Sequence, residues 1–282
     1  MKGYALIIDV EKCENCNNCF LSCKDEHCGN EWPGYAAPQP VHGHRWINIR
    51  RRERGTFPMI DVAYRPTPCM HCDDPPCLAA AENGAVVKRD DGIVLILPEK
   101  ARGQKALAKS CPYGAIWWNE ELQLPQKCTF CAHLLDDGWS EPRCVQSCPT
   151  GALSFFTGDG DQLQQRVIEE GLQVIPSGAA GDTRPRCYYK NIHRYDRCFI
   201  AGTVARDRDG VEDCVAGVCA VLRHDGGVIA ETVSDEFGDF RFDDLARDSG
   251  DYLVEIIVDA KKIAVEKRFS LGVSGSVGTI FV

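Results

Sequence analysis

Long hydrophobic runs are missing from this chain of 282 residues. Nowhere do about 18 or more apolar residues follow one another, so no membrane-spanning helix is predicted. A secretion signal is missing too. Residues 1–10 carry one basic side chain and an apolar stretch too short for the purpose, and their alternation into Asp9 reads as a strand. The cytoplasm is the expected location, with export only alongside a signal-bearing partner. Basic charge is also short. The 32 Lys and Arg against 41 Asp and Glu leave a formal charge of −9, which makes nucleic acid a poor partner. The local exception, Arg50-Arg51-Arg52-Glu53-Arg54, is read first as a solvated face and second as a docking surface.

Cysteine, by contrast, is abundant, at 17 residues. Disulfide scaffolds are mostly short secreted chains, whereas Cys-x2-Cys spacing in a chain of this length reads as metal ligation. The organising run is Cys13-x2-Cys16-x2-Cys19-x3-Cys23. Three thiolates at this spacing can hold one iron-sulfur cube while the fourth Cys serves a neighbour, so the run predicts a complementary one later in the chain. That second run is Cys128-x2-Cys131-x12-Cys144-x3-Cys148-Pro149. Exchange of the fourth Cys assigns one 4Fe-4S cluster to Cys13, Cys16, Cys19 and Cys148, and another to Cys128, Cys131, Cys144 and Cys23. Structural zinc also takes two close pairs of ligands, and the second run alone could pass for such a site. The first run follows the ferredoxin pattern instead. A further group, Cys69-x2-Cys72-x4-Cys77, is followed by Cys111-Pro112. Cys28, Cys187, Cys198, Cys214 and Cys219 are left over and are read as buried free thiols.

Between these groups the chain carries ordinary folding signals. Residues 25–45, rich in Gly, Pro, His and aromatics, are expected to form an ordered loop, with His27, His42 and His44 hydrogen-bonded or on the surface rather than ligands. Residues 46–52 alternate as a strand, and residues 160–174 have apolar positions at helical spacing behind an Asp159 or Asp161 cap. Ile7, Ile8, Ile116, Trp117, Trp118, Leu153 and Phe155 are suited to wall the clusters against water. Residues 1–175 are thus read as a cluster domain of the polyferredoxin type, 176–197 as a linker and 198–282 as a β domain. In the last, seven short antiparallel strands near residues 200–204, 218–223, 228–232, 240–242, 252–258, 263–269 and 279–282 indicate a small sandwich or barrel. Turns are expected at Asp225-Gly226, Phe237-Gly238 and Asp259-Ala260. The fold class is α+β, a ferredoxin-like multi-cluster domain followed by an all-β domain.

The four Cys groups, in this order, resemble the iron-sulfur electron-transfer subunits of the dimethyl sulfoxide reductase family, which usually carry four groups and four cubes. Against that family's spacing, Ala81 stands where the second group's fourth Cys would be. Ala101, Gln104 and Leu107 stand where the first three of the third group would be. By the exchange rule these four would ligate a single cluster. The resemblance therefore implies three 4Fe-4S clusters, with Cys69, Cys72, Cys77 and Cys111 as a complete set and side chains such as Leu107 filling the space of the lost one. Three cubes of core charge about +2 on twelve thiolates would bring the formal charge to roughly −15.

Longer strings narrow the resemblance. They are Asn30-Glu31-Trp32-Pro33-Gly34-Tyr35, Gly43-His44-Arg45-Trp46, Arg51-Arg52-Glu53-Arg54-Gly55-Thr56 and the stretch from Cys128-Thr129-Phe130-Cys131 through Ala132-His133-Leu134-Leu135 to Asp136-Asp137. In the β domain, Ala201-Gly202-Thr203-Val204, Asp235-Glu236-Phe237-Gly238-Asp239-Phe240 and Gly250-Asp251-Tyr252 resemble a transthyretin-like or carboxypeptidase-regulatory-type module. Together these features are similar to the small subunit of a polyphenol transhydroxylase, over essentially the whole chain. The resemblance implies a heterodimer of anaerobic metabolism. Its large subunit would bind molybdenum through two molybdopterin guanine dinucleotides and perform the hydroxyl chemistry, while this chain carries electrons and holds no catalytic residue. Two other readings stand beside it: the electron-transfer subunit of a reductive catechol dehydroxylase, and a free polyferredoxin carrier.

Overall fold

The N-terminal alternation makes a strand that is covered on both faces, with Ala5, Leu6, Ile7 and Ile8 all buried. The computed structural model describes residues 3–258 and 262–282, the side chains of 262–264 apart. The chain divides into two compact units, Met1–Arg50 with Tyr64–Ile192, and Arg51–Ala63 with His193–Val282. In chain order, β1 (Gly3–Asp9) and α1 (Asn18–His27) are followed by the hairpin β2 (Asn48–Thr56) and β3 (Met59–Thr67). Next come α2 (Pro76–Ala79), β4 (Val86–Lys88), β5 (Val94–Ile96), α3 (Pro98–Ala101), α4 (Leu107–Ser110), β6 (Trp117–Asn119) and β7 (Leu124–Gln126). The elements α5 (Ala132–Asp136), α6 (Arg143–Gln146), β8 (Leu153–Gly158), α7 (Gly160–Glu169) and β9 (Cys187–Lys190) complete the first unit.

β1 lies at the centre of the first unit's three-stranded sheet, antiparallel to β8 and parallel to β9. β9 falls within residues 176–197, so this segment is not simply a linker. Its Cys187 and Tyr189 are fully buried. The connection between these parallel partners is residues 10–186, and the Gly- and Pro-rich stretch that gives the segment its linker composition only joins α7 to β9. α7 starts on a capping box, with Gln162 N–H donating to Asp159 Oδ1 at 2.9 Å and the Gln162 side chain answering. It ends at Glu169, short of the expected 174, as the chain turns through Gly171 in the left-handed region (φ 61°). The loop over residues 25–45 is ordered as expected, although its first residues belong to α1.

The second unit adds α8 (His193–Asp196) and eight strands: β10 (Cys198–Arg208), β11 (Val211–Cys214), β12 (Cys219–His224), β13 (Gly227–Val233), β14 (Asp239–Leu245), β15 (Gly250–Val258), β16 (Lys262–Leu271) and β17 (Gly275–Phe281). They form two four-stranded sheets, one of β11, β10, β14 and β17 and the other in the order β13-β12-β15-β16. Ile200, Val204 and Ile280 of one sheet and Leu222, Val254 and Ile256 of the other share one buried cluster. Two features depart from the seven antiparallel strands expected. β17 runs parallel to β10, and β11 is an additional strand. All four β11 residues are exposed, so it has no apolar alternation to betray it, and its Cys214 is exposed rather than buried. The turn expected at Asp259-Ala260 lies outside the described residues.

The basic run on β2 is also not a solvated face throughout. Strand alternation turns Arg51 and Glu53 outward, where they pair with each other, and turns Arg54 inward with a side chain only 1% exposed. Arg54 is bonded to Asp61 at 2.6 Å and to Asp243 at 3.1 Å, and Arg194 and Arg241 also reach Asp61. Burial would raise the Asp61 pKa, but hydrogen bonds from Arg54 and Arg194 and the charge of Arg241 hold it well below the usual carboxylate range. Arg54 and Arg241 both lie over the Phe199 ring, at 5.2 and 4.1 Å. A side chain at Gly55 (φ 86°) would strike the Met59 carbonyl and this ring.

Candidate metal centre

α1 carries two of the thiols that the inferred exchange would divide between sets. Cys19 and Cys23 are four residues apart on this helix and therefore one turn apart along its axis. Cys19, its pKa pushed up to about 12 by burial, feels the charges of Cys13, Cys148 and Cys16. Cys23 is raised by burial and then by Cys128 and Cys131. Cys144, likewise raised by burial, faces Cys131, Cys128 and Cys23. A third set forms where Cys72, pushed up to about 12 by burial, meets Cys69, Cys111 and Cys77. The sets adjoin in a row, since Cys144 also feels Cys19 and Cys128 feels Cys69.

Thiols so raised do not ionise at neutral pH on their own, and a cationic core bound among them would supply the charge that stabilises their thiolates. Among the described residues, no three His, Cys, Asp or Glu converge on a point that a single ion could fill. The thiols instead surround spaces, as Cys69, Cys72, Cys77 and Cys111 do around a hollow closed by Tyr113 and Ile116. The donor set thus suits a polynuclear sulfide core.

Backbone geometry around the sulfurs repeats from one Cys turn to the next. Asn15, His71 and Phe130, each two residues after a Cys, have φ of 59°, 44° and 54°. That conformation lets the His71 N–H donate to Cys69 Sγ at 3.5 Å and the Phe130 N–H to Cys128 Sγ at 3.4 Å, while Asn15 N–H bonds Cys13. Side chains add Gln39 Nε2 to Cys23 Sγ at 3.7 Å and Thr183 to Cys72. Such donors favour the ionised sulfur and raise the potential of whatever it holds. The sequence reading missed these residues. Asn15 and His71 offered a signal, because Asn and His are enriched at positive φ, whereas Phe130 gave none.

The positions where the wider family's spacing would put four more Cys are filled differently. Ala101 and Leu107 are fully buried in a cluster with Ile96, Ile116 and Leu124, and Ala81 packs against it. Gln104 accepts from Glu82 N–H at 3.0 Å and donates to Glu82 O at 3.2 Å, tying together the two segments that carry the other three positions. Elsewhere, the strings noted above meet one another. Trp32 stacks on His133 at 4.0 Å, and Tyr35 donates to Asp136 at 2.7 Å. His27 packs on Trp46 and is kept neutral by burial and by His133, its pKa falling to about 3. His44 is buried and bonded to Trp118 O, and His42 is exposed. Among the leftover thiols, Cys187 is buried and donates to Cys69 O at 3.3 Å, and Cys198 is buried, whereas Cys28 and Cys219 are half-buried. Among the described residues, no helix is long and apolar enough to cross a membrane.

Comparison with known proteins agrees with this donor chemistry. A family model described as a 4Fe-4S dicluster domain matches residues 60–158. The chain is 49% identical over 265 residues to the pyrogallol hydroxytransferase small subunit of Pelobacter acidigallici, covering 93% of each chain. It is 28% identical over 237 residues to the arsenate respiratory reductase iron-sulfur subunit of a Shewanella species, covering 65% of this chain and 94% of the relative. With the formate dehydrogenase-O iron-sulfur subunit of Escherichia coli it shares 30% identity over 205 residues, covering 71% of this chain and 64% of the relative.

Proposed function

Because the chain belongs to the family of iron-sulfur small subunits that includes the one from pyrogallol hydroxytransferase, we propose that it is the electron-transfer subunit of a heterodimeric molybdopterin enzyme that converts pyrogallol to phloroglucinol by hydroxyl transfer. The large partner subunit binds molybdenum bis(molybdopterin guanine dinucleotide) and performs the chemistry, and this chain contributes no catalytic residue. Cys13, Cys16, Cys19 and Cys148 hold one 4Fe-4S cluster. Cys23, Cys128, Cys131 and Cys144 hold a second, and Cys69, Cys72, Cys77 and Cys111 a third. When bound, such clusters take up and release single electrons. The chain's own residues keep them dry and set their potentials through burial and backbone N–H donors. The observation that carries the count of three is the closed apolar packing of Ala81, Ala101 and Leu107, which leaves no donors for a fourth. We read the β unit as a transthyretin-like module that strengthens assembly with the large subunit.

Moving a hydroxyl group between phenols needs no net electrons. The subunit therefore primes the oxidation state of the partner's molybdenum rather than feeding each turnover. Metal analysis of the purified complex should give close to twelve iron per small subunit (four for each of three clusters) together with molybdenum. Once primed with reductant, the complex should turn over many times without further supply. A count near sixteen iron removes the three-cluster reading, and product formed in strict proportion to reductant replaces the transhydroxylase with a reductive catechol dehydroxylase. A chain that copurifies with iron but with no large subunit is a free carrier.

A further inference from the structure

Lys127 is 3% exposed. It follows β7 directly, and its Nζ donates to Val94 O and, at 3.1 Å, to Cys128 O. Among the described residues, no carboxylate lies within ion-pair distance of it. A buried ammonium is costly unless a charge answers it, and two carbonyl dipoles are not a charge. The hollow ringed by Cys69, Cys72, Cys77 and Cys111 has Lys127 in its wall. The carbonyl it bonds at 3.1 Å is that of Cys128, a member of the neighbouring set. One cation therefore touches the surroundings of two neighbouring thiol sets.

The same spot is a structural junction. His71 and Phe130, from the turns of the two sets, stack with ring centroids 3.7 Å apart. His71 Nδ1 accepts the Val94 N–H at 3.0 Å, so Val94 gives its N–H to one residue of the junction and its carbonyl to Lys127. An ammonium has three N–H donors, of which Val94 and Cys128 take two. The third has no hydrogen-bond partner among the described residues.

We propose that Lys127 is the shared counter-ion of the two clusters it adjoins, holding up the reduction potential of the one on Cys69, Cys72, Cys77 and Cys111 most strongly. The proposal rests on the three-cluster reading. Reduction adds one negative charge to a cluster, and a fixed cation in a low-dielectric site favours that state. Lys127 acts through charge and touches no substrate, so it is a positioning residue.

Redox titration of the complete complex, followed by electron paramagnetic resonance, separates charge from hydrogen bonding. Lys127→Gln keeps donors but loses the charge. It should lower the midpoint potential of the Cys69-set signal, lower that of the Cys128-set signal less, and leave the Cys13-set signal in place. Lys127→Arg should restore the potentials toward their original values. Potentials unmoved in the Gln variant, or moved equally by Gln and Arg, overturn the proposal. A measurement on the unmutated complex guards against a variant that fails to load. With lysine labelled by 15N at Nζ, a reduced-cluster signal should show a 15N hyperfine coupling, and its absence from every signal also overturns the proposal. Iron is counted in each sample. Twelve per chain with unmoved potentials removes the role of Lys127 alone, whereas another count in the unmutated complex removes the three-cluster reading first.

Discussion

Replacing Leu107 with alanine tests whether the space beside Ala81 and Ala101 is protein core. Leu107 opens α4, is fully buried, and packs with Ile96, Ile116 and Leu124. Truncating a buried leucine costs about 2–5 kcal/mol, the spread reflecting how far the surroundings collapse into the cavity. Here much of the surroundings is alanine, Ala81, Ala85, Ala101 and Ala108, with no side chain able to swing inward. The upper part of the range, about 3–5 kcal/mol, is therefore expected. No single unfolding free energy describes a protein with bound clusters, so the readout is local. Amide hydrogen exchange across residues 85–108 should quicken by roughly 150- to 4,000-fold, at one factor of ten per 1.4 kcal/mol. Leu107→Met should cost less than about 1.5 kcal/mol. Iron content should not change in either variant. Unchanged exchange in the alanine variant would mean that no closed core exists there, and iron lost in step with faster exchange would mean that the segment bears cofactor after all.

Two further outcomes follow from the ion pairs and the thiol sets. Arg54→Met should destabilise the β unit by about 2–3 kcal/mol, below the full cost of breaking a buried pair because Asp61 and Asp243 remain partly solvated. Both carboxyls sit below their ordinary pKa in the folded protein. Their stabilisation is thus complete above about pH 4 and drains away as the pH falls further. Exchange in residues 193–245, corrected for its intrinsic pH dependence, should show that loss in the parent protein and much less of it in the Met variant. Cys23→Ala and Cys144→Ala should damage the same spectroscopic centre and alter the one on Cys148 only indirectly. Selective damage to the Cys13 centre by Cys23→Ala would refute the exchange.

The candidate site could be proposed from the sequence because ligand spacing is short-range information. Cys13, Cys16, Cys19 and Cys23 announce a cofactor within eleven residues, and the exchange rule carries the inference to Cys148. Arg54 shows the limit. In sequence it belongs to a run of arginines beside a glutamate, and only the strand's alternation and a carboxylate at Asp243, far along the chain, reveal that it is buried. β9 was hidden for a related reason. A four-residue strand gains its identity from pairing with β1, and nothing in Cys187-Tyr188-Tyr189-Lys190 names that partner. β11 carries no inward face to read, and Lys127 looks like any other lysine until its lack of a carboxylate is seen in three dimensions.

If Cys13 and Cys148 complete one set as proposed, the grouping has a consequence for biosynthesis. Some 135 residues separate the first thiol from the one that completes its set. At a translation rate of about 5–20 residues per second, Cys148 is made roughly 7–27 s after Cys13. Throughout that interval the nascent chain carries three members of the Cys13 set without Cys148, and the Cys23 set waits for Cys144 over nearly as long. Neither core can be closed from one end of the polypeptide. Delivery of iron and sulfide must therefore follow synthesis of the α6 region, and a ribosome stalled before residue 144 leaves a chain that can close neither of these two sites.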